Sequence, residues 1–480
     1  MKKNLATNAA FNILYRMLNV IFPLITATYV SRILEPAGIG AVGYAQNIVS
    51  YFLMFAALGI PVYGTRETAK CKGNPKELSK LVSELLTINF LSTTVCLACY
   101  LLVIRNVFHS DVSIYLVFTI DLLFNYINID WLYQGQEEYG YITLRNFVIK
   151  IISLIALVVF VKEQDDCVAY AVIVCMGTGL NYLANIIHAR SIVRITLCGL
   201  DLRKHLKPIF ILLASSATAS IYSKIDVTML GWISTKEAVG YYTNAFKVMS
   251  ICLTMATAIS AVFLPRLCHI YNNQREEYQK VLSLGLKAVI ILAIPCWIGL
   301  MLVADDLVLT FFGDLFLPAV PTLRILASLI VIRGVGDIIC YQVIISTGNE
   351  KKLINSRIIA AAVNVVLNGL LIRNYAQNGV AVASVASELI VNVGMLFCSL
   401  AIVKPSVERS FWISVLIGTV AMAVSVLLVQ HLVPGAGLCL FLSAAIGVVI
   451  YFLSELLLKN DMVMDMLQLL RTKAPKIRKQ

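Results

Sequence analysis

The sequence predicts an all-α polytopic membrane protein of about fourteen transmembrane helices, on three observations. Hydrophobic residues make up 59% of the 480-residue chain and charged residues 14%, with a mean hydropathy of +0.83. A soluble domain carries about a quarter charged residues, so a soluble enzyme of this composition is excluded. Apolar windows of about 20 residues, the length that crosses a hydrocarbon core, recur from end to end. Finally, Lys and Arg gather in alternate connections between those windows.

The expected spans are, in order, 9–31, 40–62, 81–103, 112–133, 142–161, 167–188, 208–232, 239–264, 282–304, 318–346, 354–373, 379–403, 411–432 and 436–457. Starting from an internal N-terminus, and counting Arg145, Arg357 and Arg373 at span ends with the adjoining connections, the cytoplasmic segments hold 27 of the 39 basic residues, the outer connections 5, and the spans 7. Basic residues are retained on the cytoplasmic side during insertion, so both termini are expected there. The net charge of +12 then reflects membrane topology, and no nucleic-acid partner is expected. Met1 to Lys3 ahead of an apolar segment resembles a signal peptide, but Asn12, Arg16 and Asn19 interrupt it and a cleavage site is missing, so retention is expected.

An internal repeat divides the chain. Val42-Gly43-Tyr44 and Asn47 match Val239-Gly240-Tyr241 and Asn244, and Val168-Ala169-Tyr170-Ala171 matches Val380-Ala381-Val382-Ala383. Each pair opens the second or sixth helix of its half. The expected domains are a six-helix lobe over 1–206, a second over 207–404, two additional helices over 405–457, and a basic cytoplasmic tail over 458–480. Parallel repeats of this kind place a substrate site at their interface. The tail carries six basic residues and the apolar run Met462 to Leu470, and reads either as a segment on the anionic leaflet or as a disordered end.

Enzyme chemistry finds little support. The longest outer connection, around Asp305 to Phe316, is too short for a catalytic domain, and the cytoplasmic ones carry no metal-ligand or phosphate-cradling motif. Gly38, Gly40 and Gly43 spell G-x-G-x-x-G without the strand that dinucleotide binding requires, and read as a flexible connection between two spans. Cys96 and Cys99 lie in an apolar stretch with no second pair, which argues against metal or redox use. No cofactor is expected.

Ionisable residues inside spans are the informative group, because each costs at least about 2.5–3.5 kcal/mol at a helix centre unless it meets water or a partner. The basic ones are Arg16, Lys150, Lys224, Lys247, Lys287, Arg324 and Arg333, and the acidic ones Asp121, Asp130, Asp226, Asp337 and Glu388. Together they imply a hydrated, cationic cavity. Lys287 and Asp130 lie close enough to span ends to snorkel. Arg333 and Asp337, four residues apart, are spaced for a local pair. Arg16, Lys224, Lys247 and Arg333 are the candidate cavity residues, suited to an anionic headgroup because guanidinium in particular holds phosphate oxygens bidentately. Pro23, Pro295, and Gly334 with Gly336 mark candidate bending points.

Three segments carry a family resemblance: Leu34-Glu35-Pro36-Ala37-Gly38-Ile39-Gly40-Ala41-Val42-Gly43-Tyr44; Trp131-Leu132-Tyr133-Gln134-Gly135-Gln136-Glu137; and Lys224-Ile225-Asp226 with Glu237-Ala238-Val239-Gly240-Tyr241-Tyr242. The turn Thr347-Gly348-Asn349-Glu350-Lys351 fits as well. In order and over nearly the whole chain, they resemble the polysaccharide transporter family of oligosaccharide flippases, within the multidrug, oligosaccharidyl-lipid and polysaccharide exporter superfamily. The resemblance implies two six-helix lobes around a central cavity in the bacterial cytoplasmic membrane. It implies outward movement of an undecaprenyl-diphosphate-linked glycan by alternating access, for O-antigen, capsule or teichoic-type polymers. It also implies proton or sodium antiport, for which Asp226 and Asp337 are the candidates, and work alongside membrane lipids, a glycan polymerase and other biosynthesis proteins.

Three alternatives make different demands on the sequence. A multidrug and toxin extruder needs an acidic or aromatic pocket, against the basic surplus here. A membrane-embedded polysaccharide polymerase or ligase needs a long outer loop. A scaffold without transport leaves the intramembrane charges unexplained.

Overall fold

The computed structural model describes residues 5–464 apart from 197–198, 272–273, 401 and 404. The chain divides into two compact units, Met1–Thr243 and Asn244–Gln480, whereas the repeat places the division at 206/207. The seventh expected span therefore belongs with the first unit, because α8 below packs on α1 and α2.

In the first unit α1 (Leu5–Ala57) is continuous in hydrogen bonding but broken at Glu35, whose φ of 58° is left-handed. Its 53 residues would measure about 80 Å if straight, more than twice a hydrocarbon core. Pro36, which lacks an N–H, suits the first position of the second arm. Next come α2 (Ile60–Lys70), a short amphipathic helix burying Ile60, Tyr63 and Gly64, and α3 (Pro75–Val107). The α3 start is capped by Asn74, whose side chain accepts from the Glu77 amide at 3.3 Å. Then follow α4 (Val112–Asn125), α5 (Asp130–Gly135), α6 (Tyr139–Phe160), α7 (Cys167–Ala189) and α8 (Arg203–Ile233). The following helix, α9 (Lys236–Ile270), begins in the first unit and ends in the second.

The second unit continues with α10 (Arg275–Leu302), the short α11 (Ala304–Phe312) and α12 (Ala319–Gly336). A π-helical turn, Asp337–Gln342, leads into α13 (Val343–Ser346). Then α14 (Glu350–Leu400) breaks at Ala376, with φ 44°, and folds back so tightly that a Cβ on Gly379 would lie 2.7 Å from the Leu371 carbonyl oxygen. The unit closes with α15 (Arg409–Leu432) and α16 (Ala436–Leu457), which pack on each other, on α10 and on α11.

Among the described residues nine helices are long and apolar enough to cross a membrane, or ten with the bent α8. The fourteen expected spans differ from that count by taking the two arms of α1 and of α14 separately and by including α4 and α12. Long apolar faces point outward: Trp412, Ile413, Leu416, Ile417, Val420, Val424 and Leu428 of α15 are all exposed. Only lipid accommodates such a surface, and helices with internally paired backbones are what lipid permits. The outer connection expected around Asp305 to Phe316 is largely helical, formed by α11 and a 3-10 turn.

The first unit has one tight end and one elaborate end. Glu35 and residues 108–111, 161–166 and 234–235 share the tight end, tied by Gln164 to Glu35 and by Lys236 to Asp111. The opposite end holds α2, α5 and the 190–202 segment around a core of Tyr63, Leu85, Ile129, Trp131, Leu132 and Ile209. Gly38, Gly40 and Gly43 lie inside the second arm of α1, which corrects the expected flexible connection. A Cβ on Gly40 would fall 1.7 Å from the Lys236 carbonyl oxygen, and one on Gly240 2.2 Å from that of Pro36. Glycine here serves close helix approach.

Candidate functional site

In the first unit a polar patch forms where the second arm of α1 lies on α8. Asn47 donates to Thr228 Oγ1 at 2.7 Å and to the Lys224 carbonyl at 3.3 Å, and the Tyr51 hydroxyl meets Thr228 Oγ1 at 2.9 Å. Lys224 Nζ donates to the Ser50 carbonyl at 3.3 Å and stands 5.8 Å from the centre of the Tyr51 ring. Asp226, two residues on and buried, accepts from the Tyr242 hydroxyl at 2.9 Å. Lys224 thus meets carbonyl and aromatic groups, and no ion pair joins it to a carboxylate among the described residues.

The second unit treats its charges differently. Lys247 Nζ reaches Asn244 Oδ1 at 3.4 Å, again a neutral partner. Arg333 is paired: its Nε and terminal nitrogen stand 2.8 and 2.7 Å from Glu388 Oε1. The local Arg333–Asp337 pair suggested by their spacing is not formed. Asp337 accepts instead from Ser260 of α9, and from Gln342 at 3.5 Å, because tertiary partners on α9 and α14 engage the two side chains first. A Cβ on Gly336 would overlap Asn392 of α14, which itself bonds Glu388, so this glycine lets α12 approach the Arg333 partner. The Arg16 side chain lies outside those described, as does the tail from 465 onward.

Sequence reasoning ranked Lys150 below these four, yet it has the same character: Nζ donates to the Leu18 carbonyl at 2.8 Å and lies 5.1 Å from the Phe22 ring centre. Its depth in an apolar window was the signal. Two networks at the elaborate end were not foreseen. Arg145 pairs with Asp130 at 3.1 Å, and both bond Asn185, so Asp130 does not simply snorkel. The buried Glu84 accepts from Lys204, meets His205 Nε2 at 2.8 Å, and receives the Asp201 amide, while His205 Nδ1 meets the Tyr63 hydroxyl at 2.8 Å. The segment from Trp131 to Glu137 organises this end. Trp131 packs on Gly64, Tyr133 donates to the Asn185 carbonyl at 2.8 Å, Gln136 to Thr68 at 3.2 Å, and Glu137 pairs with Lys72 at 3.0 Å.

Outside the spans, Asp166 and Glu408 are held below their ordinary range. Backbone amides of Lys162 and Glu163 at 2.8 and 2.9 Å do so for Asp166, and the Lys287 ammonium does so for Glu408. Lys287 thus meets the residue just before α15. No group of three or more metal-ligating side chains occurs among the described residues.

The chain is similar to known proteins in sequence and in fold. Residues 5–271 match the family model described as polysaccharide biosynthesis protein. The "Putative O-antigen transporter" of Escherichia coli K12 is 24% identical over 407 residues, covering 82% of this chain and 96% of that one. The "Probable low-salt glycan biosynthesis flippase Agl15" of Haloferax volcanii is 25% identical over 181 residues, 36% of this chain and 37% of that one. Among solved structures, the lipid II flippase MurJ in an inward closed conformation superposes with a TM-score of 0.77 at 15% identity, covering 95% of this chain and all of that one. An inward-facing multidrug resistance transporter of the MATE family gives 0.65 at 14% identity, covering 82% and 98%.

Proposed function

We propose, from the premise that the chain belongs to the polysaccharide biosynthesis protein family, that it is a flippase carrying a lipid-linked oligosaccharide across the membrane. It performs transport and not enzymatic turnover. The observation that supports an anionic cargo is the pairing of the intramembrane charges. Lys224 and Lys247 are met by carbonyl, amide and aromatic groups, which leave their positive charge available to a diphosphate. The acidic residues a cationic drug would need are engaged: Asp226 by Tyr242, Asp337 by Ser260 and Glu388 by Arg333.

In this reading the cargo is an undecaprenyl-diphosphate-linked repeat unit and the membrane is the bacterial cytoplasmic one, with both termini and the elaborate end of the first unit on the cytoplasmic side. Transport proceeds by alternating access of two repeat-related lobes, with Arg16 and Arg333 joining the two lysines, and delivers the unit to a polymerase outside. Proton or sodium coupling falls to Asp226 and Asp337. The relatives named for O-antigen transport and glycan flipping support the cargo class. Deleting the gene tests the proposal: lipid-linked units should accumulate on the cytoplasmic leaflet, with recovery by the wild type and not by Lys224→Ala with Lys247→Ala. Undiminished surface polysaccharide in the deletion strain would overturn it.

A further inference from the structure

Among the charged groups of the described membrane helices that have no role in the account above is Asp121. It lies midway along its expected span, in α4, with 7% of its surface exposed. Its Oδ1 has no hydrogen-bond partner, and no ion pair reaches it among the described residues. From the helices packed on α4, the titratable groups facing it are Tyr100 of α3 and the Cys175 thiol of α7, which is within hydrogen-bonding reach; Tyr44 of α1 lies further out, against Tyr115 of α4 itself. None of these supplies a positive charge, and a lone ionised carboxylate in such surroundings is expensive.

A second observation concerns what lies beside it. One turn along α4, Asn125 is buried and donates to Thr93 Oγ1 at 2.9 Å and Asn89 Oδ1 at 3.2 Å. Asn128 reaches Asn125 Oδ1 at 3.4 Å, and the Asp130 amide reaches Asn128 Oδ1 at 3.3 Å. Asp130 joins Arg145 at the elaborate end. A file of polar groups therefore begins one turn from the carboxyl group and runs between α3 and α4 to the end expected in the cytoplasm.

We propose that Asp121 is a proton-binding site of the transport cycle, with the α3–α4 polar groups marking the side on which the proton leaves. The side chain takes a proton arriving from the outer side and carries it as the neutral acid. It releases that proton to water admitted beside these polar groups when the cycle opens this end, and one proton bound balances one released. The assignment rests on the transport reading above and adds a carrier distinct from Asp226 and Asp337.

The test uses the full-length protein in lipid nanodiscs and in liposomes. Infrared difference spectra across a pH titration should show the carbonyl stretch of a protonated carboxylic acid, absent in Asp121→Asn and displaced but present in Asp121→Glu. In liposomes loaded with a purified undecaprenyl-diphosphate-linked oligosaccharide, an imposed pH gradient should accelerate flipping by wild type and by Asp121→Glu, while Asp121→Asn flips equally with and without it. A spectrum unchanged by Asp121→Asn would overturn the proposal, as would an intact gradient response in that variant. Failure of the wild type to flip this lipid while the Asp121 band remains would count against the transport reading and leave the proton site standing.

Discussion

The Arg333–Glu388 pair gives a measurable coupling. Both contacting nitrogens of Arg333 address the same oxygen, at 2.8 and 2.7 Å, and the two side chains retain 27% and 14% of their exposure. Exposed ion pairs contribute under about 1 kcal/mol, and breaking a buried one costs about 3–5 kcal/mol. Partial burial and convergence on one oxygen place this pair between those limits, with an interaction energy of about 2 kcal/mol. Arg333→Met, Glu388→Gln and the double variant form the cycle, read by equilibrium denaturation in mixed micelles. Each single variant should destabilise by more than the double does once the partner's orphaned charge is also gone. A coupling below about 0.5 kcal/mol would refute the ion-pair account. The same three variants separate stability from cargo binding. If Arg333 only neutralises Glu388, export returns in the double variant; if it also holds phosphate, export stays low while stability recovers.

New cysteines at Lys72, Arg203 and Lys351, in a cysteine-free background, should resist an impermeant outside reagent, and labelling there would reverse the topology. Lys224→Ala and Lys247→Ala should each lower glycan export by about tenfold, a loss of roughly 1.4 kcal/mol in anion recognition, as measured by surface polymer; unaltered export would remove them from the site. Gly135→Ala should cost about 1–3 kcal/mol in the same denaturation assay, because its Cβ would sit 2.6 Å from the Thr65 carbonyl oxygen, while Gly73, with open space around it, meets only the strain of its φ of 91°. Asp166 tests a pH window: its lowered folded value means that the 161–166 turn gains stability above the unfolded carboxylate range and loses it as pH falls through the folded value. A nitroxide at Asp165 should therefore gain mobility only in acid, and mobility constant down to that range would refute the anchor.

Most helices were legible because lipid imposes a length and an apolar content that a sequence cannot hide. The break at Glu35 was partly legible, since Pro36 announces a helix start, but the reading allowed a whole connection where the chain needs one left-handed residue. Ala376 carries no such marker, because alanine ordinarily continues a helix and only packing forces its φ of 44°. The site was legible in composition and illegible in pairing. Arg333 lies 55 residues from Glu388, a separation no periodicity reports, whereas the nearer Asp337 satisfies a helical rule and yet turns to Ser260. Gly38, Gly40 and Gly43 misled for a related reason: glycine signals either freedom or close approach, and which one depends on a neighbour, Lys236, nearly 200 residues away.

The two single-residue breaks bear on how the chain can be edited. At Glu35 and Ala376 the backbone turns within a single residue, so an added residue has no loop to absorb it and must rotate one whole arm relative to the other. Connections of several residues between helices lack that constraint. Insertions that survive, whether placed by evolution or by an experimenter seeking a tag, should therefore avoid both breaks. Around each of them a protease or an antibody finds almost no peptide.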